Sequence, residues 1–206
     1  KALTAGTYYV QEITAPAGYV RSDKIHTLTV KAGKTTGISL TDVEQLGSIT
    51  IYKEGEVLVG WNGSNFTYET RKLPGATFKV TAGADIYKAD GTKVYNKGDV
   101  IAENLVSGSD GQAVLSDLHL GTYVVTETKS IDGYTINTTP QTVKIEYKDQ
   151  NVTVQAESTT IKNSRQKAEV SVVKKDSDTD NPLTGGQYTL YAGNDIKNYD
   201  GRVIVT

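Results

Sequence analysis

Apolar and polar residues alternate along this chain with a period of two. Ile49 and Ile51 share one side of a run, as do Tyr123 and Val125, Val143 and Ile145, and Val152 and Val154. Such alternation predicts strands with one buried and one wetted face. No helix-length window carries apolar positions at i, i+3, i+4 and i+7, the pattern of an amphipathic helix. Turn dipeptides punctuate the runs at Asn62-Gly63, Asp90-Gly91, Asp110-Gly111, Asp132-Gly133 and Asp200-Gly201. Short strands between regular turn signals predict an all-β sandwich or barrel.

The pattern also repeats. Gly6-Thr7-Tyr8-Tyr9-Val10-Gln11-Glu12 matches Gly121-Thr122-Tyr123-Val124-Val125-Thr126-Glu127, an offset of 127 − 12 = 115. Ile49-Thr50-Ile51-Tyr52-Lys53 matches Val170-Ser171-Val172-Val173-Lys174 at 174 − 53 = 121, and Asp42 falls on Asn163 at that same offset. Leu73-Pro74-Gly75-Ala76 matches Leu183-Thr184-Gly185-Gly186 at 183 − 73 = 110, and Ala82-Gly83-Ala84-Asp85-Ile86 continues onto Ala192-Gly193-Asn194-Asp195-Ile196. Changing offsets mean insertions in loops between shared strands. The pattern predicts one complete unit over 47–166, the C-terminal part of a preceding unit over 1–46 and the N-terminal part of a following one over 167–206. The connectors Val43-Glu44-Gln45-Leu46 and Ser164-Arg165-Gln166-Lys167 lack Gly/Ser runs and predict restricted, stalk-like joints.

Composition narrows the function. Tyr numbers 13 against two Phe and one Trp, as suits pleated sheets. Net charge is −2, which argues against a basic nucleic-acid binder. No apolar run is long enough for a membrane-spanning helix, and residues 1–9 lack a signal-peptide core. Cys and Met are both absent, which excludes disulfides, thiolate metal sites and a cysteine nucleophile. The missing Met suggests an excerpt of a longer or processed chain. No cofactor and no metal site is predicted.

Three apolar stripes finish in a polar residue. Ile49, Ile51 and Lys53 share one face, as do Tyr123, Val125 and Glu127, and Ile161 and Asn163. The flanking units keep the pattern in Val170, Val172 and Lys174, in Tyr8, Val10 and Glu12, and in Ile38, Leu40 and Asp42. Burying a Lys or Glu as an ion is costly unless it is paired. Burial lowers an amine's pKa and raises a carboxyl's, giving a nucleophile and a proton donor. Beside the Asn163 carboxamide these form a reactive set: Lys53 attacks the amide carbon, while Glu127 polarises the carbonyl, shuttles protons and helps expel ammonia. The product is a neutral Lys–Asn isopeptide bond. Against this stands the plain reading of each residue alone, a snorkelling lysine or a solvated edge residue.

The order I-T-I-Y-K, L-P-G-A-T-F-K-V, G-T-Y-V-V-T-E-T-K-S-I-D-G-Y and I-K-N resembles the Cna B-type, or SpaA-like, domain of Gram-positive surface proteins and pilins. The resemblance extends over the full unit and both partial ones. It implies tandem transthyretin-like, reversed-immunoglobulin β-sandwich domains and a self-catalysed isopeptide bond in which Lys53 is the amine, Glu127 the acid and Asn163 the acceptor. In the first unit it implies Glu12 as acid and Asp42 as acceptor, with loss of water and a lysine upstream of residue 1. In the third it implies Lys174, not Lys175, with acid and acceptor beyond Thr206. The implied role is a structural stalk on the cell-wall-attached, extracellular surface of a Gram-positive bacterium, its partners the neighbouring units. Glu54 to Lys72 is longer than the equivalent connection and predicts an extra hairpin. Neither a sortase signal nor a pilin polymerisation motif is evident, which favours a surface-protein stalk over a pilin shaft.

Other readings compete. Tyr-rich faces and the Trp61 loop fit an adhesin module contacting host matrix protein or glycan. A turnover enzyme has little to use: His26 and His119 are the only histidines and sit in no triad or metal spacing. Asp176, Asp178 and Asp180 begin like a calcium loop, but Asn181 stands where glycine is needed and Gln187 where glutamate is needed. Sequons at Asn62, Asn137 and Asn151 matter only in a glycosylating host. A split domain joining Lys174 of one molecule to Asp42 of another would lack the core strand of 100–106.

Overall fold

The computed structural model describes residues 3–206; Lys1 and Ala2, with which the predicted first unit begins, lie outside the described residues. Among the described residues every regular element is a strand, and no helix is long and apolar enough to cross a membrane. In chain order these are β1 (Gly6–Gln11), β2 (Tyr19–Val20), β3 (Ile25–Val30), β4 (Val43–Glu44), β5 (Leu46–Trp61), β6 (Phe66–Lys72), β7 (Thr77–Ala82) and β8 (Ile86–Tyr87). They continue with β9 (Lys93–Tyr95), β10 (Val100–Val106), β11 (Gln112–Leu118), β12 (Gly121–Lys129), β13 (Gln141–Ile145), β14 (Val154–Asn163), β15 (Ile196–Lys197) and β16 (Val203–Val205).

The middle of the chain is a sandwich of two sheets. One runs β11-β5-β14, with β6 paired to the distal half of β5; the other runs β10-β7-β12-β13. Ile49, Ile51, Ala113 and Ile161 of the first sheet bury against Phe78, Val80, Tyr123, Val125, Val143 and Ile145 of the second. Gly47 shows how closely the sheets approach: a Cβ there would lie 2.4 Å from Ile145 Cγ2. The first and last strands of the unit, β5 and β14, are parallel neighbours, with Ile161 opposite Lys53 and Asn163 opposite Gly55. Side chains opposed in this way share a face, so this register sets Lys53 and Asn163 on the inner side of one sheet.

The hairpin expected over 54–72 is present: β5 continues to Trp61 and folds back as β6, with Glu54 opposite Lys72 and Trp61 opposite Phe66. Other expectations from pattern are corrected. Val154 is 54% exposed, because β14 turns Gln155, Glu157, Thr159, Ile161 and Asn163 inward instead. Val170, Val172 and Lys174 form no strand and are exposed. Among the described residues, 170–174 pair with no strand, and the one strand pair within 167–206 is β15–β16. Ile38, Leu40 and Asp42 likewise lie outside any strand, with no counterpart of β5 beside them.

Even so, the flanks reproduce local geometry at the sequence offsets. Gln45 N–H donates to Gly18 O at 2.8 Å, and Gln166 N–H to Gly133 O at 2.8 Å. Tyr19 pairs with Glu44 and Tyr134 with Arg165. The β8–β9 hairpin closes with Lys88 N–H to Thr92 O at 2.8 Å, and the β15–β16 hairpin with Asn198 N–H to Arg202 O at 2.8 Å. Leu73 N–H donates to Lys53 O at 2.9 Å, and Leu183 N–H to Lys174 O at 2.8 Å.

Both connectors are pinned. Gln45 is fully buried; its Nε2 donates to Asp149 O and Val152 O, and its Oε1 accepts from Lys148 N–H. Glu44 Oε1 accepts Ala89 N–H at 2.9 Å and lies 3.1 Å from His119 Nδ1. At the second connector Arg165 N–H donates to Glu56 Oε2 at 3.3 Å and Lys167 Nζ lies 3.2 Å from the same oxygen; farther along, Tyr199 N–H donates to Leu58 O at 2.8 Å, and Arg71 Nη1 lies 3.2 Å from Asp200 with its guanidinium over the Tyr199 ring.

Candidate functional site

Lys53, Glu127 and Asn163 converge between the two sheets. β5 brings Lys53, whose backbone is held on both sides: its N–H donates to Gly111 O at 2.8 Å and its C=O accepts from Leu73. β12 brings Glu127, paired with Phe78 of β7. The last residue of β14 is Asn163. Lys53 is 0%, Glu127 1% and Asn163 4% exposed, so all three are out of water.

Glu127 is the hub. Lys53 Nζ lies 3.3 Å from Glu127 Oε1 and also 3.3 Å from Oε2. Asn163 Nδ2 donates to Oε1 at 2.8 Å, and the Asn137 backbone N–H donates to Oε2 at 3.0 Å. Asn163 Nδ2 also donates to Ser130 Oγ at 2.7 Å. Asn163 Oδ1 is buried and has no hydrogen-bond partner among the described residues. In this arrangement Glu127 faces the carboxamide nitrogen, the group that leaves in the reaction expected from sequence. Burial lowers the Lys53 amine below its ordinary pKa, opposed by the charge and hydrogen bond of Glu127. That shift moves Lys53 toward the neutral, nucleophilic form.

Three neighbours have no signature in the alternation. Ser130 and Asn137 follow β12 in a loop, where period-two reasoning says nothing, and Asn137 acts through its backbone. Gly55 opposes Asn163, and a Cβ there would lie 2.8 Å from Asn163 O and 2.5 Å from Leu73 Cδ1. Tyr134 completes that side, donating its hydroxyl to Glu56 O at 2.8 Å.

Residues 12–42 bring part of a similar set together. Glu12 directly follows β1, and its Oε2 accepts Ser22 N–H at 2.8 Å. Since 22 + 115 = 137, this is the counterpart of the Asn137 bond to Glu127. Asp42 faces Glu12: partial burial, then the Glu12 charge and hydrogen bond, raise its carboxyl above the usual range. Both line a cavity of about 160 Å³ with Ser22, Lys24, His26 and Leu40. Lys174 is exposed and lies outside any strand.

The remaining candidates have ordinary roles. Asp176 Oδ1 accepts the N–H groups of Asp178 and Thr179 and the Thr179 hydroxyl, which also holds its pKa low; its carboxylate closes its own turn. His119 sits in the first joint. Trp61 packs against Phe66 with ring centroids 4.9 Å apart and planes tilted by 56°, and flanks Leu190, Tyr191 and Val205.

A family model for the SpaA prealbumin-like fold domain matches residues 1–44 and 67–160. The matched segments hold Glu12, Asp42 and Glu127; Lys53, Asn163 and Lys174 lie outside them. Among curated proteins none matches. Among solved structures, the Bacillus anthracis TIE protein is 26% identical at a TM-score of 0.49, covering 79% of this chain and 26% of that one. GBS52, the minor pilin of Streptococcus agalactiae, is 20% identical at 0.41, covering 84% of this chain and 65% of that one. The Corynebacterium diphtheriae major pilin SpaA, whose structure is described as pointing to a modular pilus assembly with stabilising isopeptide bonds, is 19% identical at 0.41, covering 74% and 41%. This chain thus spans less than two thirds of each of these proteins. With the family model matching well over half of its length, the chain belongs to the SpaA family of prealbumin-like fold domains.

Proposed function

We propose that the chain is a load-bearing structural segment of a Gram-positive surface protein of the pilin type, its middle unit locked by an autocatalytic Lys53–Asn163 isopeptide bond. The observation that carries this is one oxygen: Glu127 Oε1 is 3.3 Å from Lys53 Nζ and 2.8 Å from Asn163 Nδ2, in an interior closed to water.

The chemistry follows from that contact. Lys53 passes a proton to Glu127, and the neutral amine attacks Asn163 Cγ. Glu127 delivers a proton to Nδ2, the Cγ–Nδ2 bond breaks and ammonia departs. Of the three ammonium protons, one stays on the new amide and one leaves on ammonia. The third remains on Glu127 or converts the ammonia to ammonium. The exchange removes a buried charge whose desolvation is otherwise only partly offset, which favours completion. No substrate is turned over; the protein is its own reactant.

The bond would join the first and last strands of the unit. Tension entering at 46 and leaving at 166 would pass through the 53–163 link and bypass the 163 − 53 − 1 = 109 residues between. A loop of about 100 residues closed this way stabilises by about 4.7 kcal/mol in the chain-entropy model, if an isopeptide constrains the unfolded chain as a disulfide does. This supports an extracellular location, where resistance to pulling and proteolysis matters and cysteine is absent. Glu12 and Asp42, and Lys174, are proposed as the corresponding groups of the flanking units. Intact-mass measurement tests the reading: the full chain should weigh one ammonia less than its sequence, and an undiminished mass would reject it.

A further inference from the structure

We propose that Ser130 is a positioning residue that makes this centre specific for a carboxamide acceptor; the proposal rests on the isopeptide reading above. A buried carboxamide presents two N–H bonds, each needing an acceptor. Asn163 Nδ2 has two: Glu127 Oε1 at 2.8 Å and Ser130 Oγ at 2.7 Å. One acceptor alone leaves the broad terminal torsion of asparagine loosely defined. Two fix the amide plane, hold the leaving nitrogen against the proton carrier and turn Oδ1 away from both.

The first unit supplies the contrast. Its acid is held as in the middle unit, by Ser22 N–H on Glu12 and by Asn137 N–H on Glu127. Its acceptor position holds Asp42, since 42 + 121 = 163. The counterpart of Ser130, at 130 − 115 = 15, is Ala15, buried and without a hydroxyl. A carboxyl has no NH2 group, so the second acceptor that a carboxamide requires has no counterpart to serve there. Hydroxyl accompanies carboxamide, and methyl accompanies carboxyl. Ser130 therefore acts through Asn163 on the reaction that expels ammonia and has no such role where water is expelled.

The test follows mass against time for the full chain made by cell-free synthesis, with Ser130→Ala, Ser130→Thr, Asn163→Asp and the combined Ser130→Ala/Asn163→Asp. Ser130→Ala should slow ammonia loss about tenfold, the worth of one buried hydrogen bond. Ser130→Thr should restore the rate to within about twofold. In the Asn163→Asp background, where water is lost, Ser130→Ala should change the rate by less than about twofold. An unchanged rate in Ser130→Ala with Asn163 present, or equal slowing in both backgrounds, overturns the proposal. A parent chain that never loses ammonia overturns the isopeptide reading itself. Should Ser130→Ala fail to fold, Ser130→Thr against Ser130→Val compares similar shapes with and without the hydroxyl, and equal rates for these two reject the role.

Discussion

Gly55 and Asn163 face each other across the parallel β5–β14 pair, and a single methyl between them has no room. A Cβ on Gly55 would lie 2.8 Å from Asn163 O, a backbone atom, and 3.1 Å from Tyr134 Cε1. Gly55→Ala should therefore push the end of β14 away from β5. Overpacking of this kind costs about 1–3 kcal/mol, and Asn163 would move with its strand. A lower melting temperature and a larger fraction at full mass are expected; normal linkage would show that the register tolerates the shift.

Glu127→Ala removes both the proton carrier and the partner of a buried amine. The mass deficit should vanish. Taking away one member of a buried ion pair costs about 3–5 kcal/mol, and the unlinked chain also forgoes the loop constraint. Denaturant unfolding of this variant against the parent measures the combined loss. A retained deficit would show that Glu127 is dispensable.

Lys53 also sets a pH dependence. Its folded pKa lies below the ordinary 10.5, so between the two values the unfolded chain holds more protons than the folded one. Stability then rises with pH across that window. Asn163→Ala, which cannot link, should gain stability on going from neutral pH toward 10.5 as Lys53 sheds its charge, and lose it on acidification. In the parent chain, bond formation should accelerate over the same rise in pH. Chemical denaturation across pH checks the first and mass against time the second; a flat response would mean Lys53 keeps its proton when folded.

The hairpin over 54–72 fastens residues 196–205. Arg71 reaches Asp200 and Tyr199, and Tyr199 N–H bonds Leu58 O. Arg71→Ala should raise amide hydrogen exchange at 196–205, with little change in global stability because the pair is exposed. The Lys53–Asn163 mass deficit should persist. Unchanged exchange would mean that the Leu58 bond suffices.

What the sequence revealed and what it hid follow from physics. Period-two alternation assigns faces, so Lys53, Glu127 and Asn163 were legible as the ends of inward stripes, and Asn62-Gly63 marked a hairpin. Alternation does not report whether a strand has partners. Val170 to Lys174 keeps the pattern but lies exposed without a sheet, and Val154 alternates on the outer face of an edge strand. Loop contributions were equally hidden. Ser130 donates no pattern, and the Asn137 and Ser22 bonds use backbone N–H groups that any residue but proline supplies. Their equivalence emerged only when the 115-residue offset met the hydrogen bonds.

The central claim is a covalent one and has a direct measurement: tandem mass spectrometry of a proteolytic digest of the full chain. The account predicts a branched peptide in which Lys53 Nζ is acylated by the side chain of Asn163, lighter by one ammonia than its two linear components. Recovery of those peptides only in separate, unmodified form would contradict it.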